Sequence, residues 1–125
     1  MIDFKPDRLG HCCYLTETQL EQLHELNIPV EICPTSNLAV MPQAGNLVGH
    51  LPHLKKLLEL NHNFIICTDD TMLFSTNIST ELFEFAKGFK VSTEDLKALI
   101  VRNVDAIFDE DCKEEIRAQI EKYRV

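Results

Sequence analysis

The sequence predicts an α/β protein built on a parallel sheet. Short apolar runs rich in β-branched residues alternate with longer stretches of helical period, the pattern of βα units. The run Phe64-Ile65-Ile66-Cys67 is apolar at every position, which suits a strand covered on both faces. Each of three such runs also carries or meets a polar, reactive cluster, as expected where parallel strands deliver side chains to one shared edge.

The first strand is expected from Arg8 to Tyr14. Its helix starts at a Thr16 cap and carries Leu20, Leu23 and Leu26 on one stripe. The second strand, Pro29 to Cys33, runs into Pro34-Thr35-Ser36-Asn37, a polar cluster that reads as a turn. A long loop from Leu38 to Gly49 holds Pro42 and Gly45, and the helix after it has Leu54, Leu57, Leu58 and Leu60 before ending near Asn61. The third strand spans Asn63 to Thr68 and stops at Asp69-Asp70. Beyond it the chain turns helical: Ser79 or Thr80 caps a helix through Phe89, Ser92-Thr93-Glu94-Asp95 opens another, and Asp109 or Asp111 caps a last one. No fourth strand is predicted. Without an internal repeat or linker, residues 1–125 read as one folding unit. Three parallel strands leave two sheet edges bare, and a closed barrel of eight such units takes about 200 residues or more, so a missing part is expected before Met1.

Composition narrows the function. With 45% hydrophobic and 26% charged residues, the chain can bury a core. Its 20 acidic and 12 basic residues give a net charge of -8 with no basic run, which argues against nucleic acid as a partner. The five cysteines form no C-x-x-C pair, and an odd count makes no disulfide framework, so a reducing, cytoplasmic setting is expected. The N-terminus has no apolar h-region, and no stretch approaches the roughly 18 apolar residues of a membrane span. The chain therefore reads as soluble, with no membrane partner.

The candidate site residues are His11, Ser36, Asp69 and Asp70, spaced by about 25 and about 33 residues along the chain, one βα repeat each. Two adjacent carboxylates at the end of an apolar strand repel unless a cation or donor offsets them, and neighbouring side chains there point to different sides. Asp69 and Asp70 can thus serve a metal and a substrate donor, or cap a solvated turn. His11 is a metal ligand, a general base or a hydrogen-bonded core residue. Ser36 and Asn37 read first as turn formers. Cys12, Cys13, Cys33 and Cys67 read as small buried hydrophobes. His24 and His62 read as structural or exposed, and His50 and His53 open the helix after the second strand, where His53 could reach a pocket mouth.

Taken together, Asp7-Arg8-Leu9-Gly10-His11, Ile32-Cys33-Pro34-Thr35-Ser36-Asn37-Leu38 and Cys67-Thr68-Asp69-Asp70 resemble, in order and spacing, three consecutive motifs of the adenosine deaminase family. The nearest likeness is to its adenosine deaminase-like branch, which acts on N6-methyl-AMP and related monophosphates. The resemblance covers nearly the whole chain. It implies a TIM (β/α)8 barrel, of which residues 1–125 would be the C-terminal section, with one zinc ion as cofactor. It also implies hydrolysis that replaces the 6-amino group of a small-molecule purine substrate (adenosine, AMP or N6-methyl-AMP) with oxygen. Carried over by motif, Asp69 would be the zinc ligand from the last strand and Asp70 would hydrogen-bond purine N7. His11 would orient and deprotonate the zinc-bound water, and Ser36 would be a supporting pocket residue. Zinc lowers the pKa of its water to about 7, where an imidazole can take the proton.

The family's H-x-H pair, third histidine and H-x-x-E glutamate have no counterpart here, which leaves one zinc ligand of four. Cys12 stands where the family has Gly, and Thr71 where it has Pro. Zinc is therefore expected only if the missing N-terminal half is supplied, the isolated chain is expected to be inactive, and the missing barrel half or a second copy of this chain is the expected protein partner. The zinc scheme with H-x-E and P-C-x-x-C is excluded, because the order here is Cys33-Pro34 and no H-x-E occurs. Two other readings stand beside this one: a non-catalytic α/β module that pairs its sheet edges with another chain, and a different metal-dependent hydrolase of the same superfamily. The deaminase reading expects His11, Ser36, Asp69 and Asp70 to converge at one end of three parallel strands that lie in sequence order.

Overall fold

The structure, a computed structural model, describes residues 1–40 and 52–123. The predicted loop from residue 41 onward, with Pro42, Gly45 and His50, lies outside the described residues. Three parallel strands, β1 (Leu9–Gly10), β2 (Val30–Ile32) and β3 (Phe64–Ile66), form one sheet in the order β1-β2-β3. The register aligns Leu9 with Val30, Val30 with Phe64 and Ile32 with Ile66. All three strands are shorter than predicted. For β1 the cause is visible: His11 donates its backbone N–H to the Glu31 carbonyl at 2.7 Å, and the chain then turns off the ladder because His11 and Cys12 take φ of 59° and 53°.

Side chains alternate across the sheet, so Val30, Ile32, Phe64 and Ile66 are buried against helices. Glu31 and Ile65, which point to the other face, are half-buried. The uniform apolar run of β3 is thus covered on one face more than on the other. Leu23, Leu54, Leu57 and Phe85 complete the centre of the core, with Phe85 edge-on to Phe64 at a centroid distance of 5.6 Å.

Helix α1 (Glu17–Glu25) begins at Thr16, whose hydroxyl accepts from the Gln19 N–H while the Gln19 amide oxygen accepts from the Thr16 N–H, a reciprocal cap. Leu20 and Leu23 are buried, whereas Leu26 has passed the helix end and is 37% exposed. The predicted turn at Pro34-Thr35-Ser36-Asn37 is instead the first turn of helix α2 (Pro34–Val40). Proline, serine and asparagine serve turns and helix starts alike, and proline fits the first helical turn because its missing N–H is not needed there. One tertiary contact favours the helix, the Thr35 N–H donating to Glu81 Oε2 at 2.9 Å, and the Asn37 N–H then donates to the Cys33 carbonyl at 2.9 Å as the first bond of the helical ladder.

Helix α3 (Pro52–Glu59) buries Leu54 and Leu57 as its period predicts. Helix α4 (Ile78–Phe89) is capped by Asn77, which accepts from the Thr80 N–H at 3.0 Å, and not by Ser79 or Thr80. Asparagine is among the strongest N-caps, and its extended backbone here leaves the two later residues inside the helix. Helix α5 (Thr93–Asn103) is capped by Ser92, and α6 (Glu110–Lys122) by Asp109. Among the described residues there is no fourth strand, and no helix is long and apolar enough to cross a membrane. Arg8 ties the strand end to the C-terminal helices: it donates to the Ala106 carbonyl at 2.8 Å, stacks over Phe108 at 3.9 Å and lies 3.0 Å from Glu31.

His62 gives the fold a pH dependence. It is 1% exposed, with Nε2 donating to the Ile28 carbonyl at 2.9 Å. Burial pushes its pKa below the ordinary 6.5, the carbonyl opposes this, and His24 and Arg102 lower it further. Below pH 6.5 the unfolded chain takes up a proton that the folded ring refuses, so stability is full above that pH and falls as the medium is acidified. We expect this histidine to contribute a slope of at most about 1.4 kcal/mol per pH unit. Urea unfolding at pH 7.5 and 5.5 checks it, with a flatter dependence in His62→Gln.

Candidate active site

The site is built where the three strands end. Abrupt exits from the ladder place its key residues in the left-handed region: φ is 59° at His11 and 57° at Asp69. Such backbone is costly for residues with a Cβ, least so for Asp, Asn and His, and it clusters at functional positions. Cys12, beside His11, carries the same strain with φ 53°. This is the position at which the resemblance implies glycine. We expect Cys12→Gly to change stability by less than about 0.5 kcal/mol, whereas the β-branched Cys12→Val costs about 2 kcal/mol, as read from urea midpoints.

His11, Ser36 and Asp69 are brought together. Ser36, 3% exposed, donates its hydroxyl to Asp69 Oδ2 at 2.7 Å, and His11 Nε2 lies 3.7 Å from the same oxygen. The imidazole and the carboxylate remain open, with side-chain exposures of 46% and 37%. Asp70 follows Asp69 in the chain, but its Oδ1 accepts from the Leu73 N–H at 2.7 Å, so its side chain fastens the turn after β3. Of the two uses open to a paired aspartate, the capping one is thus present at Asp70.

Two residues that sequence reasoning left out of the site belong to its framework. Asn37, 2% exposed, accepts at Oδ1 from His11 Nδ1 at 2.9 Å. A proton fixed on Nδ1 leaves Nε2 as the basic nitrogen, turned toward Asp69. Cys33, read as a buried hydrophobe, is indeed buried, yet its sulfur, a His11 ring nitrogen and an Asp69 oxygen all lie within 4.8 Å of one another. Its thiol is pushed far above the ordinary value, first by donating to Cys67, then by burial and by the charges of Cys67, Asp69 and Glu31. Cys67 is shifted down, mainly because it accepts that hydrogen bond. His53 is 4% exposed and close to the His11 backbone, and burial lowers its pKa more than that backbone raises it.

A parallel sheet that gathers an imidazole, a carboxylate and a hydroxyl at the C-terminal ends of consecutive strands has the layout of part of the active-site face of a (β/α)8 barrel. The sequence model of the adenosine deaminase family matches residues 1–123, and the chain belongs to that family. An N6-mAMP deaminase of Arabidopsis thaliana is 37% identical over 120 residues, which are 96% of this chain and 32% of that protein. The apo structure of the N6-methyl-AMP deaminase from Arabidopsis thaliana superposes with a TM-score of 0.89 at 34% identity, over 98% of this chain and 36% of that one. The Arabidopsis ADAL structure complexed with IMP superposes with a TM-score of 0.84 at 31% identity, over 98% of this chain and 35% of that one. The three βα units and their helices correspond to a C-terminal portion of such a TIM barrel. The chain spans about a third of the length of the curated relatives it matches.

Proposed function

We propose that this chain supplies the last strand-end groups of a zinc-dependent site that hydrolytically deaminates a purine nucleoside monophosphate, with N6-methyl-AMP as the preferred substrate. The observation that carries it is the convergence of His11 and Ser36 on Asp69 Oδ2. The substrate class follows the relatives named N6-mAMP deaminase and the neighbour that holds IMP, the product that deamination of AMP or N6-methyl-AMP would leave. Water attacks purine C6, the C6–N bond breaks, and methylamine or ammonia leaves with a proton from the water.

The donors present fit zinc. Asp69 offers a carboxylate fixed by Ser36, while Asn37 orients His11, and such outer hydrogen bonds are what hold ligands in metal sites. Asp69 would bind the ion together with ligands from the remainder of the barrel. Zinc, when bound, supplies Lewis-acid polarisation at neutral pH. His11 Nε2 takes the proton of the attacking water, and Asp70 faces N7 with the carboxyl oxygen that does not cap the turn, the two acceptors sharing one proton between them. The partners are thus the small-molecule purine and the rest of the barrel, whose strands would pair with the outer strands β1 and β3. The free thiols support a cytoplasmic setting.

A chimera in which residues 1–125 replace the matching segment of the Arabidopsis N6-mAMP deaminase tests the proposal. Incubated with N6-methyl-AMP, AMP or adenosine, it should change the purine ultraviolet band fastest with the first. The isolated chain should change none of them. A folded chimera inactive on all three would favour the non-catalytic module.

A further inference from the structure

We propose that the groove between helices α3, α4 and α5 binds a small amphiphilic carboxylate, an apolar body that carries one anionic group, with that group held by Arg102 and Lys90. The groove meets β3 at Phe64, its first residue, whereas Asp69 stands past the other end of that strand. Its ligand is therefore not the purine of the deamination reaction, and the inference does not depend on that reading.

At 370 Å³ the groove falls within the range of small-molecule sites, about 300–1,000 Å³, and it has their usual make-up of apolar walls and a few polar groups. The half-buried Leu58, Phe89 and Val91 are its accessible walls, and the buried Phe64, Phe85 and Leu99 stand behind them. Phe89 packs against Phe85 at a centroid distance of 5.6 Å, which holds its ring as a surface on which a flat or extended apolar group can lie. All of these walls come from this chain.

Charge sets the polar end. Two cations, Arg102 and Lys90, line the groove with one carboxylate, Asp95, so its lining is positive in a chain whose net charge is -8. Asp95 is engaged elsewhere, its Oδ2 accepting from the Ser92 hydroxyl at 2.7 Å. Arg102 Nη1 donates to Asn61 Oδ1 at 2.6 Å, while its Nε is buried without an acceptor among the described residues. A buried donor left unmatched is costly, and rotation of the guanidinium about its terminal torsions presents it to the groove. A carboxylate accepts from two donors of the arginine fork at once and offsets the charge of Lys90. A neutral amide or alcohol brings an acceptor without the charge, so the groove favours an acid over either.

The test titrates the 125-residue chain with 4-phenylbutyrate, octanoate and the uncharged 4-phenylbutanamide, followed by the nitrogen–proton NMR signals of the backbone and of the Arg102 side chain. Expected is a Kd on the order of 1 mM or tighter for the better acid, the level set by about a dozen non-hydrogen atoms. Which acid binds better tells a flat ring from a flexible chain as the preferred body. Shifts should centre on Phe89, Lys90 and Arg102 Nε, and the amide should bind at least about tenfold more weakly than 4-phenylbutyrate. Arg102→Gln should lower the affinity for the acid about tenfold and abolish its advantage over the amide. Lys90→Gln, at an exposed position, should lower it about threefold with the fold untouched, and it decides alone if Arg102→Gln does not fold. The proposal is overturned if acid and amide bind alike, if the folded variants bind like the parent, if the shifts gather at His11 and Asp69, or if neither acid binds at about 10 mM, tenfold above the expected Kd.

Discussion

Asp69→Ala in the chimera should lower kcat/KM for N6-methyl-AMP at least about a thousandfold, a loss of roughly 4 kcal/mol of transition-state stabilisation. The alanine removes the oxygen on which Ser36 and His11 converge, and with it the ligand that this chain brings to the metal. Metal content, measured on the same preparation, should fall with activity. Ser36→Ala should act more mildly, about ten- to a hundredfold, because it frees the carboxylate to rotate without deleting it. Equal activity in Asp69→Ala and the parent chimera would mean that Asp69 only shapes the turn after β3.

The largest effect on stability is expected at Glu81. This carboxylate is fully buried, accepting from the Thr35 N–H at 2.9 Å and from the Thr76 hydroxyl at 2.5 Å. It therefore joins α4 to the first turn of α2, the turn that aims Ser36 and Asn37. Glu81→Ala would strand two donors and open a void, costing about 3–4 kcal/mol in urea unfolding. Glu81→Gln keeps the shape and one acceptor and should cost about 1–2 kcal/mol. If Glu81→Ala changed stability by less than about 1 kcal/mol, water would be satisfying Thr35 and Thr76 in its place.

Much of this was legible in the sequence because parallel sheets impose a simple code. Apolar runs separated by helical stretches mark strands, and the polar residues at their ends mark the edge where His11, Ser36 and Asp69 meet. What escaped depends on contacts between distant residues. Asn37 was read as a turn former because asparagine bonds its own backbone so readily, yet its partner is 26 residues away. Cys33 passed for a hydrophobe because buried cysteines are common; the available signal was Cys67, one position beyond the Ile32–Ile66 pair just as Cys33 is. Glu81 left a plainer trace, a charge four residues before Phe85 on the stripe that α4 buries. Pro34–Asn37 reads as a turn because the residues of a turn and of a helix start are the same, and the distinguishing contact, from the Thr35 N–H to Glu81, lies 46 residues away.

The central claim is that this chain brings working parts of a purine deaminase site, and quantifying IMP formed from N6-methyl-AMP by the chimera, with and without His11→Ala, tests it most directly. The account predicts IMP and methylamine in equal amounts, with one oxygen in IMP drawn from labelled water, and a loss of at least about a hundredfold in His11→Ala, the scale of general-base catalysis. Undiminished IMP formation in His11→Ala, or none in a folded, metal-loaded chimera, would contradict it.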